Sequence, residues 1–276
     1  MRKLKIGEIH YANCTPIYTI LKELADCSGY EFVTGEPARL NSLLASGGVD
    51  VSSSSSIEFA RHQSEYLIIP DISISSTGDV GSILLFSKKP VESLGGSDIA
   101  VSSASATSTV LLKSLFRHHY RLDAAYTPCE PVLKKMLDGR DAALLIGDEA
   151  LKERIRLSEA DGLFVYDLGG VWHGFTGLPF VYALWMVRVD SAREVPELSL
   201  RFSADIVRAR DASMGVYSEI AARSPESKWM GEAGLVSYWN AMSYELTPQH
   251  IAGLSLFYGY AAELGEAPAG VSPAFL

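Results

Sequence analysis

The sequence predicts an α/β protein whose chain forms two lobes with a cleft between them. Short segments of strand-forming residues alternate with amphipathic helical segments from the first residues onward, which is typical of parallel strands joined by crossover helices. The length of 276 residues exceeds the roughly 100 to 200 residues of a common domain, so two lobes are expected. The hydrophobic fraction of 47% suffices for a buried core.

The first lobe is predicted to begin with three strands, each followed by a helix. Apolar residues such as Ile17 and Leu21 recur at helical spacing and indicate the first helix. Pro37 suits the first turn of the second helix, and Gly47 ends it. The predicted elements are strands at residues 4–9, 30–33, 49–51, 67–75 and 82–87, and helices at residues 15–27, from 37 and at about 57–63.

A polar segment with proline and glycine at residues 88–96 is predicted to be the first crossing between the lobes. A long apolar segment at residues 180–189 fits a buried strand that returns to the first lobe. The predicted lobes are therefore residues 1–88 with 180–276, and residues 89–179. The remaining predicted elements are strands at residues 99–102, 143–146 and 164–168, and helices at residues 107–120, 148–156, 191–223, 233–244 and 248–264.

The apolar faces of the C-terminal helices are compatible with an oligomer, or with closing the first lobe. The last of these helices is predicted to begin with the cap Thr247 and the first-turn residue Pro248.

Four predicted loops follow a strand and precede a helix, at residues 10–14, 52–56, 103–108 and 146–148. In open α/β sheets, ligands bind at the carboxyl ends of strands, where helix N-termini offer unpaired N–H groups. Three of the loops are rich in hydroxyl or amide side chains, and none contains lysine or arginine. These groups suit a carboxylate that is held without an ion pair. The alternative is that the serines and threonines only cap helices.

Composition and charge argue against several classes of function. The net charge is −9 and the basic residues are scattered, so nucleic acid is not an expected partner. The first ten residues lack the apolar stretch of a secretory signal, and the longest apolar run, residues 181–187, is far shorter than the roughly 20 residues of a membrane span. A cytoplasmic protein without membrane association is therefore expected. Three cysteines without a CxxC pair predict neither a disulfide framework nor a metal site.

The common catalytic motifs are missing from the sequence. It contains no GxSxG, HExxH, P-loop or GxGxxG element, so a serine hydrolase, a zinc protease or a nucleotide-binding protein is not predicted. His10 and His173 are the histidines near the predicted loops, and a surface or capping role is their alternative. Asp148 fits a helix N-cap more readily than a catalytic acid.

Several segments resemble, in order and spacing, the chorismate dehydratases of the futalosine route to menaquinone. The resemblance extends over residues 6 to about 187, and the C-terminal helices carry little of it. The segments are Tyr11-x-Asn13-x-x-Pro16, Pro37-x-x-Leu40-Asn41, Val49-Asp50-Val51-Ser52, Ser55-Ser56-Ile57-Glu58-Phe59-Ala60, Gly81-Ser82, Ser105-x-Thr107-Ser108, Leu145-Ile146-Gly147-Asp148, Asp167-Leu168-Gly169 and Thr176-Gly177-Leu178-Pro179-Phe180.

The resemblance implies a type II periplasmic-binding-protein-like fold with mixed sheets and an interdomain cleft. It also implies a hydro-lyase that converts chorismate into 3-[(1-carboxyvinyl)oxy]benzoate and water without a cofactor. The sister enzyme, 1,4-dihydroxy-6-naphthoate synthase, usually carries a Ser-Pro-Cys-Pro-Asn-Asp type of first loop, which residues 10–16 do not match. That synthase, a non-catalytic binding protein for small carboxylates and a lyase acting on another carboxylate are the alternatives.

The resemblance further implies which residues form the site. Asn13 and Ser82 are expected at the C4 hydroxyl and the enolpyruvyl ether of chorismate, as catalytic groups. The residues expected to bind the substrate carboxylates are Ser55, Ser56, Ser105, Thr107 and Ser108, and the other predicted binding residues are Tyr11, Ile146, Gly147, Asp148, Thr176 and Gly177. Because these motifs contain no obvious protein base, we hypothesise that the enolpyruvyl carboxylate of chorismate itself removes the C3 proton.

Overall fold

The structure is a computed structural model that describes residues 2–103, 106–158 and 161–276. Its strands are β1 (Leu4–Ile9), β2 (Tyr30–Gly35), β3 (Val51–Ser55), β4 (Tyr66–Ser76), β5 (Ile83–Ser87), β6 (Asp98–Ser102), β7 (Ala125–Cys129), β8 (Ala142–Ile146), β9 (Phe164–Asp167), β10 (Phe180–Arg188) and β11 (Ser243–Leu246). Its α-helices are α1 (Thr15–Leu24), α2 (Pro37–Ser46), α3 (Ser56–Arg61), α4 (Ala106–Ser114), α5 (Leu133–Met136), α6 (Gly147–Arg156), α7 (Leu168–Thr176), α8 (Val189–Glu194), α9 (Pro196–Met214), α10 (Tyr217–Arg223), α11 (Ser227–Met230), α12 (Glu232–Ala241) and α13 (Pro248–Glu263).

The larger of the two sheets has the strand order β11-β4-β10-β3-β1-β2. Strand β1 lies between β2 and β3 and runs parallel to both, as expected for strands joined by the crossover helices α1 and α2. Strand β10 runs antiparallel to its neighbours β3 and β4. The sheet is therefore mixed, with parallel pairs around β1 and antiparallel pairs around β10.

The smaller sheet has the strand order β7-β6-β8-β5-β9. Strand β5 belongs to it, since β5 pairs with β8 and β9 on its two sides. The chain therefore first passes between the sheets at residues 77–82, before β5, and not at the predicted segment 88–96. The prediction missed this because a short apolar strand does not itself indicate which sheet it joins. The division of the chain into two lobes remains a proposal.

The serine run forms a strand and not the predicted loop between a strand and a helix. Strand β3 includes Ser52 to Ser55, and it pairs in parallel with β1 and antiparallel with β10. Ser52 pairs with both neighbouring strands, and Ser53 to Ser55 pair with β10. This pairing satisfies main-chain N–H and C=O groups, so the position in the sheet outweighs the local preference of the serines. Ser56 then begins α3 directly.

Two elements after residue 160 differ from the prediction, and the start of the last helix confirms it. The helix predicted at residues 233–244 ends at Ala241 and is followed by strand β11, and α7 follows β9 where only a strand was predicted. Helix α13 begins as predicted, because the Thr247 and His250 side chains form a reciprocal capping box around Pro248.

The C-terminal helices cover the larger sheet. Helix α9 packs against α1 and β4, and α13 packs against β10 and α4. The core between these layers includes the fully buried indoles of Trp185 and Trp239. Within the described ranges, no helix combines the length and the apolar composition needed to cross a membrane.

Candidate active site

A cavity lies between the two sheets and is lined by residues from both. The lining residues are Ile9, Tyr11, Asn13, Cys14, Pro37, Ser53, Ser54, Ser55, Ile74, Val80, Ser82, Ile83, Ser108, Ile146, Gly147, Tyr182, Ala183 and Met242. None of these described lining residues carries a formal charge. The structure therefore brings together the strand ends that the sequence predicted to hold a ligand.

Asn13 lies in the loop between β1 and α1 and lines the cavity. Its Oδ1 atom is buried and has no hydrogen-bond partner within the described part of the chain. The Asn13 main-chain carbonyl accepts a 2.8 Å hydrogen bond from the Tyr244 hydroxyl, and the Ala12 carbonyl accepts one of 2.7 Å from the Trp239 indole. A buried amide oxygen without a partner is unfavourable, so the fixed loop leaves this atom available to a ligand.

Ser82 lines the cavity immediately before β5 and is 3% exposed. Its Oγ accepts a 3.0 Å hydrogen bond from the Tyr238 hydroxyl, and its main-chain carbonyl accepts one of 2.7 Å from the Gly147 N–H. The two preceding N–H groups, of Val80 and Gly81, donate to the Asp167 carboxylate over 2.9 and 2.6 Å. Main-chain and side-chain contacts together thus hold Ser82 in place.

The end of β3 contributes Ser53, Ser54 and Ser55 to the cavity. Ser54 Oγ is buried and has no hydrogen-bond partner among the residues described. Ser55 occupies the N-cap position of α3, but its side chain makes no capping hydrogen bond. These hydroxyl groups are therefore free to turn toward a bound anion.

Ser56 and Thr107, two predicted carboxylate-binding residues, are buried just behind the cavity and are absent from its lining. Thr107 Oγ1 accepts a 3.1 Å hydrogen bond from the Ile57 N–H, and Ser56 Oγ donates to the Val181 carbonyl over 2.7 Å. These contacts tie the start of α3 to α4 and β10. Ser108, the next residue of α4, does line the cavity as predicted.

Tyr11 and Gly147 meet across the cavity from opposite sheets. Gly147 has a φ of +60°, in the left-handed region that favours glycine, and a Cβ atom there would lie 2.9 Å from Tyr11 Cε2. The glycine therefore permits both the backbone turn at the start of α6 and the close approach of the phenol ring. Ile146 precedes it at the end of β8 and also lines the cavity.

Asp148 lies beside the cavity, in the first turn of α6, and is not among its lining residues. Its Oδ1 accepts a 3.1 Å hydrogen bond from the Ala12 N–H. Burial raises the pKa of Asp148 to about 6, the Ala12 N–H opposes this shift, and the nearby Glu226 carboxylate adds to it. The residue thus links the first loop to the smaller sheet.

Thr176 and Gly177 lie at the C-terminus of α7, outside the cavity lining. Thr176 Oγ1 donates to the Trp172 carbonyl over 2.9 Å and accepts from the Leu178 N–H over 3.1 Å, and Gly177 ends the helix in the left-handed conformation. Both residues have local roles in ending the helix. The predicted residue Ser105 lies outside the described residues.

The ionisable groups that line the cavity are held in their neutral forms. Burial raises the pKa of the Cys14 thiol to about 12, and the neighbouring Ser53 hydroxyl opposes this shift. Burial, followed by the Glu36 carboxylate, raises the pKa of Tyr11, and burial also raises that of Tyr182. These thiol and phenol groups are therefore protonated at neutral pH and are poor bases.

Sequence reasoning placed Cys14 in a predicted ligand loop without assigning it a role, and it missed lining residues such as Tyr182 and Met242. Tyr182 lies in an apolar strand whose side chains alternate between two buried faces, so its sequence context does not distinguish it from the core. Met242 lies between α12 and β11, in the region without a family pattern. In the ranges that the structure describes, no group of three or more His, Cys, Asp or Glu side chains is arranged to hold a metal ion.

Solved structures with a similar fold show the fold class of the protein. A crystal structure of a protein from Archaeoglobus fulgidus has a TM-score of 0.70 and 21% identity, covering 95% of this chain and 98% of that chain. The periplasmic aliphatic sulphonate binding protein SsuA from Escherichia coli has a TM-score of 0.67 and 15% identity, covering 98% and 95%. The fold is thus periplasmic-binding-protein-like, which confirms the predicted fold class.

Sequence comparisons identify the family. A family model described as menaquinone biosynthesis matches residues 4–263. A chorismate dehydratase from Thermus thermophilus is 32% identical over 270 residues, which cover 93% of this chain and 94% of that protein. A chorismate dehydratase from Campylobacter jejuni is 32% identical over 181 residues, 64% of each protein. The chain belongs to the menaquinone biosynthesis family, as its motifs predicted.

Proposed function

We propose that the protein is a hydro-lyase that removes water from chorismate and forms 3-[(1-carboxyvinyl)oxy]benzoate. The identity of 32% to the chorismate dehydratase from Thermus thermophilus, over 93% of the chain, supports this activity. The observation that carries the proposal is the convergence of Asn13 and Ser82 in one uncharged cavity between the sheets.

The two carboxylates of chorismate are proposed to bind without a cationic side chain. Ser54 and Ser55 offer hydroxyl donors from the end of β3, and Ser108 lines the same cavity from the first turn of α4. Helix N-termini carry a partial positive charge that stabilises an anion by about 0.3–1 kcal/mol each, and α3, α4 and α6 all begin beside the cavity. Ser56 and Thr107 would support these positions from behind.

Asn13 and Ser82 are proposed to act at the C4 hydroxyl and the enolpyruvyl ether. When the C3–H bond breaks, its electron pair is delocalised over the ring double bonds and the ring carboxylate. When the C4–O bond breaks, the hydroxyl departs and takes up a proton to form water, and the ring becomes aromatic. A hydrogen-bond donor near the C4 oxygen stabilises the charge that develops on it during departure.

The C3 proton is proposed to pass to the enolpyruvyl carboxylate of the substrate. The described lining residues include no carboxylate or histidine, and burial keeps Cys14, Tyr11 and Tyr182 protonated. A group attached to the substrate is already close to its proton, and such proximity accelerates a reaction strongly. The protein would then mainly fix the conformation that brings this carboxylate to C3.

The proposal also includes a two-lobed organisation and a cytoplasmic location. The two sheets are proposed to be the cores of two lobes, with β5 in the second lobe. The cysteines Cys14, Cys27 and Cys129 are free thiols, which is compatible with a reducing cytoplasm.

Incubation of the purified protein with chorismate tests the activity. The expected result is loss of chorismate and a new aromatic chromophore whose mass is lower by one water. Binding of chorismate without turnover would instead indicate a non-catalytic binding protein. Turnover restricted to the substrate of 1,4-dihydroxy-6-naphthoate synthase would identify the sister enzyme.

A further inference from the structure

Residues 238–244 contact both candidate catalytic residues from a distant part of the chain. This segment contains the end of α12 and the start of β11. In the sequence, Tyr238 lies 156 residues from Ser82, and Tyr244 lies 231 residues from Asn13. The Tyr244 hydroxyl and the Trp239 indole fix main-chain carbonyls of the first loop, as described above. Tyr238 differs from these two residues, because it contacts a side chain that lines the cavity.

The Tyr238 hydroxyl donates to Ser82 Oγ over 3.0 Å. The tyrosine is 5% exposed, and burial raises its pKa, so the phenol keeps its proton at neutral pH. A serine hydroxyl has one hydrogen and two lone pairs. The bond from Tyr238 therefore occupies a lone pair of Ser82 and leaves the hydrogen of Ser82 unused.

The unused hydrogen of the Ser82 hydroxyl can point toward the cavity. Ser82 Oγ donates to no acceptor in residues 2–103, 106–158 and 161–276, whereas the residue lines the cavity. Its main chain is fixed by the Gly147 N–H on one side and by the bonds from Val80 and Gly81 to Asp167 on the other. With the backbone and one lone pair fixed, rotation of the hydroxyl directs the hydrogen into the cavity.

We propose that Tyr238 is a positioning residue that keeps Ser82 a hydrogen-bond donor toward the departing C4 oxygen of chorismate. This inference rests on the proposed function and assigns a direction to the Ser82 hydrogen bond. Charge grows on the C4 oxygen as the C–O bond breaks, so the donated bond strengthens in the transition state. The loss of Tyr238 therefore lowers kcat more than it changes KM.

The Tyr238→Phe variant tests this role through the split between kcat and KM. The expected result is a kcat lower by about 10- to 100-fold with KM within about 3-fold of the wild-type value. Tyr66→Phe is the matched control, because the Tyr66 hydroxyl is also buried but has no partner among the described residues. A change of less than about 2-fold is expected for the control. Equal effects of the two variants would overturn the proposal.

A double-mutant cycle with Ser82→Ala tests whether Tyr238 acts through Ser82. In the Ser82→Ala background, Tyr238→Phe is expected to change kcat by less than about 2-fold, since the acceptor of its hydrogen bond is gone. The same loss in both backgrounds would show that Tyr238 acts by another route and would overturn the assignment.

A crystal structure of Tyr238→Phe gives a result that does not depend on turnover. The expected finding is a Ser82 side chain rotated to another rotamer, with its hydroxyl no longer directed at the cavity. An unchanged Ser82 side chain without a new partner overturns the positioning role. A wild-type protein that does not consume chorismate contradicts the proposed function, and the crystal structure then still decides the role of Tyr238.

Discussion

The Ala12 N–H donates a 3.1 Å hydrogen bond to Asp148 Oδ1, which joins the first loop of the larger sheet to the first helical turn after β8 of the smaller sheet. The carboxyl is largely shielded from water, and the Glu226 carboxylate lies near enough to disfavour its charge. Asp148 therefore connects the two sheets, and its pKa is higher in the folded state than in the unfolded state.

Asp148→Asn should change the pH dependence of stability. Burial raises the pKa of Asp148 from 3.8 to about 6, so the folded state binds this proton more tightly than the unfolded state. The stabilising effect is present below about pH 4 and is lost as the pH rises through about 6. At neutral pH we expect the Asn variant, which keeps an acceptor for Ala12, to be more stable than the wild type by roughly 1–3 kcal/mol.

Urea unfolding between about pH 4 and 7, the range in which the Asp148 carboxyl titrates, checks this expectation. The neighbouring change Glu149→Gln removes the same charge and serves as the control. If the free energy of unfolding of Asp148→Asn differs from that of the wild type by the same amount at every pH, as does that of Glu149→Gln, the raised pKa of Asp148 is wrong.

Gly147→Ala should destabilise the protein and weaken substrate binding. The residue has a φ of +60°, and the added methyl group would meet the Tyr11 ring at 2.9 Å. Gly139→Ala is a matched control, with a φ of +70° and open space around the added atom. We expect about 1 kcal/mol of destabilisation from backbone strain alone at Gly139, and a loss larger by roughly 1–2 kcal/mol at Gly147.

Thermal unfolding and KM for chorismate measure the effect of these glycine substitutions. A rise in KM is expected for Gly147→Ala only, because Tyr11 lines the cavity. Equal losses of stability at both glycines would show that the contact with Tyr11 has no energetic consequence.

Asn13→Ala should lower kcat by about 100-fold or more while the fold is retained. The fold is expected to persist because Tyr244 is bonded to the main-chain carbonyl of Asn13 and not to its side chain. Asn41→Ala is the control, since Asn41 Oδ1 is also buried without a described partner but lies outside the cavity lining. Steady-state kinetics with circular dichroism separate the two variants, and near-normal turnover by Asn13→Ala would remove Asn13 from the site.

Substrate-assisted proton removal predicts that no single protein base is essential. His10 has a side chain that is 66% exposed, Glu58 lies 3.3 Å from His62, and neither residue lines the cavity. We expect single replacements of His10, Glu58, His173 and Asp148 to keep turnover within about 10-fold of the wild-type rate, because a general base commonly contributes 10²- to 10⁴-fold. A variant that binds chorismate normally but has no turnover would contradict the hypothesis.

Local patterns in the sequence predicted the elements that depend on local interactions. The strand Leu4–Ile9 was located correctly by its composition, and the start of α13 was located by Thr247 and Pro248. Asn13 and Gly147 were placed after the carboxyl ends of strands and Ser82 was placed by its family motif, and the structure brings all three to one cavity. Parallel strands joined by helices align their carboxyl ends, so the order of elements sufficed for Asn13 and Gly147. It did not suffice for Ser82, which precedes β5, a strand antiparallel to β8.

Features that depend on distant contacts could not be read from the sequence. The serines of β3 form a strand because β10 pairs with all of them, and β10 lies more than a hundred residues later in the chain. The hydrogen bond from Tyr238 to Ser82 likewise has no local signal, because a buried tyrosine in a helix fits an ordinary core position. Thr107 was identified, but its hydroxyl is already bonded to Ile57.

The position of β10 between β3 and β4 also has a consequence for how the chain acquires its shape during synthesis. Strand β4 pairs with β10 and β11, and both of these strands are made after residue 179. An emerging chain of the first 179 residues can complete the order β7-β6-β8-β5-β9, but it leaves β4 without a neighbour. The smaller sheet can therefore form first, whereas the larger sheet is completed only after β10 and β11 have been synthesised.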